Sequence, residues 1–192
     1  PATRLAGRDG PLRLLVVGGS LGASALNQAV PAALAQTAAG KAFTVYHQTG
    51  RDDRERVVSA YKDAGVEARV EAFIEDMAEA YSWADLVICR AGALTVAELA
   101  VVGVPAILVP FPYATDDHQT GNARFLADAG AAILLPEADM DSAGLADMLS
   151  DFSTQRDVLL EMACRARALA MPEAARRVAE LCLQVARPGG AA

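Results

Sequence analysis

Only three cysteines and two histidines occur in the 192 residues. Cys89, Cys164 and Cys182 lie far apart, with no CxxC or Cys/His ligand spacing, so neither a disulfide framework nor a zinc site is indicated. That cysteine usage fits a reducing cytosol. Two histidines are too few for a His-based metal centre. Long apolar runs are also missing: the stretch 101–111 is broken by Gly103, Pro105 and Pro110, well short of the ~20 residues that span a bilayer. No insertion of this chain into a membrane is expected. Nor is there an excess of positive charge. Seventeen basic against 24 acidic residues give a net charge of -7, a surface that repels phosphate backbones, so nucleic acid is not an expected partner. No signal peptide is recognisable, and the opening at Pro1 in a polar Arg/Gly stretch reads as a piece cut from a longer protein.

What is present is apolar. At 53% hydrophobic residues, a chain of this length fills one core, and with no linker in sight residues 1–192 are expected to form a single domain. Short apolar runs, each followed by a turn and a helical periodicity, recur six times. The strand expectations are 13–17, 42–47, 68–73, 86–89, 106–109 and 131–134, Val/Ile/Leu-rich and mostly continuous, as for strands covered on both faces. Helices are expected at 23–38, 52–64, 76–82, 94–102 and 119–129. This alternation indicates an α/β fold, a Rossmann-like parallel sheet of about six strands. After Pro136 three further helices are expected at 142–150, 154–170 and 173–186, with Ser142 and Ser153 as N-caps and Pro172 near the last start. The tail 188–192 is expected to fray.

In such a sheet ligands bind outside the carboxyl ends of the strands. The first such loop reads Gly18-Gly19-Ser20-Leu21-Gly22. Glycines allow close backbone approach, and the helix start behind them favours an anion; a tight turn without a ligand is the competing reading. The spacing is G-G-x-x-G, and the second strand ends in Tyr46-His47-Gln48, where a dinucleotide enzyme carries an acid for the ribose, so NAD is not expected. The loop after the fourth strand runs Arg90-Ala91-Gly92-Ala93-Leu94-Thr95-Val96-Ala97-Glu98. Gly92 would permit a sharp turn. The amides near Ala93, Leu94 and Thr95 would then face an anion such as a diphosphate. Glu98 is placed either to accept two vicinal hydroxyls, as on a ribose, or to complement the helix dipole. After the fifth strand comes Asp116-Asp117-His118-Gln119, which offers groups for sugar hydroxyls, although an N-cap among solvated residues is the simpler reading of either Asp. No Asp-x-Asp motif stands at a strand end to hold a divalent ion. His47 is expected in the core or at its rim, and Trp83 packed over the sheet edge.

The segments Gly18-Gly19-Ser20 with Gly22-Ala23, Phe73-Ile74-Glu75-Asp76-Met77, Arg90 through Glu98, and Asp116-Asp117-His118-Gln119 with Asn122-Ala123 occur in that order. Together they resemble the MurG family of bacterial peptidoglycan glycosyltransferases, over residues 4–187. Members transfer N-acetylglucosamine from UDP-N-acetylglucosamine to lipid I, forming lipid II. The resemblance implies one half of a two-domain GT-B enzyme, the C-terminal donor-binding half, acting without cofactor or metal. It implies that Ser20 lies near the diphosphate, that Ile74 meets the uracil through its backbone, and that Ala93, Leu94 and Thr95 cradle the phosphates. The same run continues through Val96 and Ala97 to Glu98 on the ribose, and Gln119 contacts the sugar.

By the same resemblance no catalytic base is expected in this chain. Lipid I would be met only by the N-terminal half, and the full enzyme would sit peripherally on the cytoplasmic face of the inner membrane. A donor-holding arginine of the family is not matched, since Arg4 and Arg8 do not sit in its motif. Another GT-B glycosyltransferase, a UDP-sugar 2-epimerase half or a non-catalytic nucleotide-binding module remain alternatives, because fold alone does not carry function. The stripe Ala175, Val178, Ala179, Cys182 and Val185 on the final helix is expected to pack in part on this domain and in part on the other half.

Overall fold

The computed structural model describes residues 1–37 and 42–186; the helix end expected at Ala38 and the tail 188–192 lie outside the described residues. A short helix α1 (Ala2–Leu5) precedes β1 (Leu12–Val17), α2 (Ser24–Gln36), β2 (Phe43–Gln48), α3 (Arg54–Asp63), β3 (Glu67–Glu71) and α4 (Met77–Trp83). Then follow β4 (Leu86–Cys89), α5 (Ala93–Val102), β5 (Ala106–Leu108), α6 (His118–Ala127) and β6 (Ala132–Leu134). Three helices close the chain: α7 (Ser142–Thr154), α8 (Arg156–Ala168) and α9 (Ala174–Ala186).

The six strands form one sheet in the order β3-β2-β1-β4-β5-β6, and every pairing is parallel. Alternate residues of β1 enter two separate cores. Leu14 and Val16 join the layer under α2, α3 and α7, whereas Leu15 and Val17 join the layer under α4, α5 and α6. Burial on both faces is why the strands read as continuous apolar runs rather than alternating ones. The chain leaves β1 toward β2 on one side and returns to β4 on the other, so the switch point of the sheet is the crevice between the carboxyl ends of β1 and β4.

Several local expectations are corrected. The cap of α7 is Asp141, one residue earlier than Ser142, with its carboxylate accepting from the amides of Ala143 and Gly144. Ser153 caps nothing: it lies in the last turn of α7, where its hydroxyl donates to the Ser150 carbonyl. The third strand stops at Glu71, two residues short of Phe73. No residue of α9 is buried, and Val178, Leu181 and Val185 are all exposed, so none of its apolar stripe packs on this domain. Trp83 does sit at the sheet edge, its ring edge-on to Tyr46 with centroids 6.0 Å apart.

His47 is a core residue with no exposed surface. Its Nδ1 accepts from the Tyr61 hydroxyl (2.8 Å) and its Nε2 donates to the side-chain oxygen of Asn27 (3.0 Å). The Asn27 amide group donates on to the Thr49 carbonyl and to Asp53. A ring held this way is neutral, and burial pushes its pKa down to about 3. The unfolded ring takes up its proton near 6.5. The stability this ring contributes is therefore present above about pH 6.5 and lost as pH falls toward 3. Replacing His47 by Gln is expected to flatten the acid side of the stability curve by at most about 1.4 kcal/mol per pH unit in that window. Urea unfolding of both proteins between pH 7 and pH 4 measures it; parallel curves would overturn the assignment.

Candidate functional site

The exits of β1 and β4 are neighbours because Val17 and Cys89 pair in register, and the Arg90 amide donates to the Val17 carbonyl. After β1, the Gly22 amide closes a turn on the Gly19 carbonyl (3.0 Å). Gly22 has φ +77, and a Cβ there would stand 2.1 Å from the Thr49 carbonyl oxygen, so both the conformation and the space demand glycine. The turn holds Ser20 and Leu21 out at its tip, Leu21 with 96% of its surface exposed. The N-terminus of α2 behind this turn already has a carboxylate beside it. Asp53 accepts from Asn27 (2.8 Å) and lies 3.5 Å from the Ser24 hydroxyl, and the Asn27 bond holds its pKa below the usual value.

Neither helix start has a side-chain cap, but at α5, among the described residues, no carboxylate stands beside the first turn as Asp53 does at α2. The α5 cap, Gly92, has no side chain, no hydroxyl or carboxylate caps it, and no acid lies in the first turn. The amides of Ala93, Leu94 and Thr95 precede the first intrahelical bond, which runs from the Val96 amide to the Gly92 carbonyl. Leu94 is 80% exposed. Gly92 is not there for a turn: its φ is -65, which any residue adopts, correcting the sequence expectation. A Cβ at Gly92 would meet nothing within 4 Å except the Thr95 hydroxyl, at 3.6 Å. Neither the backbone nor the packing around Gly92 calls for glycine. Val96 has a buried side chain and a bound amide, and Ala97 lies inside the helical ladder, so neither has a free polar group.

Glu98 is exposed on the second turn of α5. Beneath it the buried Tyr81 hydroxyl lies against Glu98 and Thr95, and its pKa is raised, first by burial and then by Cys89 and Glu98. Cys89, wholly buried, is pushed up to about 12 and stays a neutral packing group. On the far side Gln119 is half-buried, with its side-chain carbonyl accepting from the Phe111 amide (2.9 Å). That bond leaves the NH2 of Gln119 to donate. Asn122 ties α6 to the same rim by donating to the Ala91 carbonyl (3.0 Å). Asp117 takes the N-cap position of α6 with φ +51, but its carboxylate binds the Thr120 hydroxyl rather than a backbone amide.

Ile74 is 2% exposed, and its amide is already taken by the side-chain carbonyl of Gln48 (2.8 Å). The structure therefore brings Ser20, Ala93, Leu94, Thr95, Glu98 and Gln119 to one end of the sheet, with Ile74 reached through Gln48. Two supporting residues escaped the sequence reading. Gln48 is one; a polar residue ending an apolar strand was its only signal. The other is Arg90, which donates to the carbonyls of Val109 and Pro110, pairs with Glu137 and stacks on Phe111, fixing the loop that orients Gln119. Arg4 and Arg8 lie at the opposite end, bound to Ala84, Gly103, Ser82, Trp83 and Asp85. A cleft of about 620 Å³ lies beside the edge strand β3, lined among others by Arg69, Glu71, Phe73 and Trp83, and not over α5. Among the described residues no three His, Cys, Asp or Glu gather as a metal would need.

Residues 13–178 match the model of the glycosyltransferase family 28 C-terminal domain. The chain belongs to that family. It is 57% identical, over 97% of its length, to the UDP-N-acetylglucosamine--N-acetylmuramyl-(pentapeptide) pyrophosphoryl-undecaprenol N-acetylglucosamine transferase of Aromatoleum aromaticum. The enzyme of the same name from Marinobacter nauticus is 55% identical over the same share. The crystal structure of Acinetobacter baumannii MurG superposes with a TM-score of 0.88 at 46% identity, covering 95% of this chain and 52% of that one. The chain spans about half the length of the curated relatives it matches, 52% and 51% in the two named. This family 28 domain therefore has the fold of one half of a GT-B glycosyltransferase.

Proposed function

We propose that residues 1–192 form one donor domain that binds UDP-N-acetylglucosamine, as the donor half of an inverting transferase that glycosylates lipid I to give lipid II. The observation that carries this reading is the uncapped first turn of α5, at the switch point of the sheet, with Glu98 one turn further on. Its three free amides and the Thr95 hydroxyl suit a diphosphate, and they favour the leaving group more strongly as negative charge grows on it, without a metal. Glu98 accepts the ribose hydroxyls, Ser20 approaches the diphosphate from the β1 turn, and Gln119 donates to the sugar. The acceptor and the catalytic base belong to the half of the relatives that this chain does not match, so the chain alone transfers nothing. The complete enzyme would work at the cytoplasmic face of the membrane, where a polyprenyl acceptor is reached; no described helix is long and apolar enough to cross it.

Titration followed by amide shifts tests the assignment. UDP-N-acetylglucosamine is expected to bind saturably, ahead of UDP-glucose, moving resonances at 18–22 and 93–95, with no change on adding chelator. Gly92→Ala is expected to keep the melting temperature, since its backbone and surroundings accept a methyl. It should weaken binding about tenfold, ~1.4 kcal/mol, by filling space beside Thr95. No shifts at saturating ligand, or unaltered binding by Gly92→Ala, would overturn the α5 site.

A further inference from the structure

The cleft of about 620 Å³ between α4 and the edge strand β3 contains none of the residues of the proposed nucleotide site. Register pairs Tyr46 of β2 with Arg69 of β3, so their side chains rise on one face of the sheet, together with Glu67 and Glu71 at alternate positions. Tyr46 is 8% exposed. Its hydroxyl makes no hydrogen bond among the described residues, and it feels the carboxylates of Glu71 and Glu79 from the cleft walls. A polar group buried that far without a partner is the exception in a folded protein. The Arg69 guanidinium lies over the Tyr46 ring, 4.4 Å from its centroid, and Glu71 holds it at 2.6 and 2.8 Å. Trp83 stands edge-on to the same ring.

The cleft thus already holds one guanidinium between an aromatic face and a carboxylate, while its other acids have no such partner. Glu67, Glu75 and Glu79 line it and make no ion pair within 4 Å among the described residues. Asp76 lines it too, with its carboxylate accepting from the Glu79 amide (2.8 Å). Among the described residues of the lining, Arg69 alone is a cation. What the cleft lacks is positive charge, and the Tyr46 face on which a sugar ring would stack is covered by Arg69. β3 is also the last strand of the sheet. Its outer edge offers backbone groups to an extended segment, although Arg54 takes the Val70 carbonyl (3.2 Å). A cleft of this volume holds more than one side chain. We propose that it docks a basic, extended segment of a partner protein along β3, with an arginine or lysine side chain donating to the Tyr46 hydroxyl and pairing with Glu79. Further cations of the segment, two residues apart, meet Glu67 and Glu75.

Trp83 is the single tryptophan of the chain, so intrinsic fluorescence reports on this cleft. The probe is a blocked pentapeptide of alternating arginine and valine, which places its cations on one face when extended. Added to the whole chain, it is expected to bind saturably, to change the Trp83 emission, to shift amides at 67–71 and 75–83, and to lose affinity as salt is raised. Glu75→Gln combined with Glu79→Gln should weaken binding about fivefold or more, and Tyr46→Phe about threefold, the scales of charged and neutral hydrogen bonds. Both glutamates are exposed, so the double variant is expected to keep its melting temperature; should Tyr46→Phe fold poorly, the double variant decides. A pentapeptide of alternating glutamate and valine should not bind, and blocked arginine on its own should bind at least about tenfold more weakly. No Trp83 response to the arginine peptide at millimolar concentration, undiminished binding by the double variant, or an equal response to the glutamate peptide overturns the site. Equal affinity for blocked arginine overturns the peptide in favour of a small cation.

Discussion

Asp85→Ala is expected to destabilise the fold by about 3 kcal/mol or more, lowering the melting temperature by roughly 6–12 °C for a chain of this size. Asp85 sits in the turn before β4 with its side chain 4% exposed, paired to Arg8 (2.5 Å), whose own side chain is 17% exposed. Its second oxygen accepts from the Arg13 amide (3.0 Å), and its backbone amide donates to the Arg13 carbonyl (2.8 Å). One residue thus joins the starts of β1 and β4 and the segment after α1. Arg8 also donates to the carbonyls of Ser82 and Trp83, which cannot neutralise it, so alanine leaves a largely buried guanidinium without its counter-charge. Pairing Asp85→Leu with Arg8→Met should restore much of the loss, because removing both charges avoids the uncompensated one. Urea unfolding of the three proteins measures the difference. A loss under about 1 kcal/mol for Asp85→Ala would mean that the pair behaves as an exposed one. This cluster lies at the amino ends of the strands, so nucleotide binding by the folded variant is expected to be unchanged.

Glu98→Ala is expected to have the opposite profile, with stability nearly unchanged and affinity for UDP reduced about 10- to 100-fold. Glu98 is exposed and makes no ion pair within 4 Å among the described residues. It is the sixth residue of the ten in α5, beyond the first turn where a carboxylate complements the helix dipole. Apart from the Tyr81 hydroxyl beneath it, the role open to it is to bind a ligand with two adjacent hydroxyls. A cycle with 2′-deoxy-UDP isolates that contact: removing the hydroxyl should weaken binding to the parent protein and matter little once Glu98 is alanine. Equal UDP affinity in both proteins would leave Glu98 as a solvated surface charge.

The sheet and its helices were legible because a strand buried on both faces has to be continuously apolar, and β1 from Leu14 onward, β4 and β5 are. The edge strand β3 was overextended, since its Glu67-Ala68-Arg69-Val70-Glu71 carries one buried residue and the apolar signal comes from Ala72 and Phe73 beyond it. The cap of α7 was misplaced by one residue, because Asp141 and Ser142 are both good caps and only backbone direction chooses between them. The final helix showed its stripe in sequence, but periodicity says that a face is apolar, not what covers it.

The α/β class, the family and the residues that gather at the carboxyl ends of the strands are all readable from the amino-acid order. Each of these is written locally, in apolar runs and in motifs such as 90–98. Tertiary packing, by contrast, settled that Asp53 comes beside the start of α2 from 29 residues away, whereas among the described residues no carboxylate lies in the first turn of α5. It also decided that Gln48 holds Gly19 and Ile74, 29 and 26 residues distant. A hydrogen bond depends on where strand order and register bring its two ends, and sequence spacing carries no record of that.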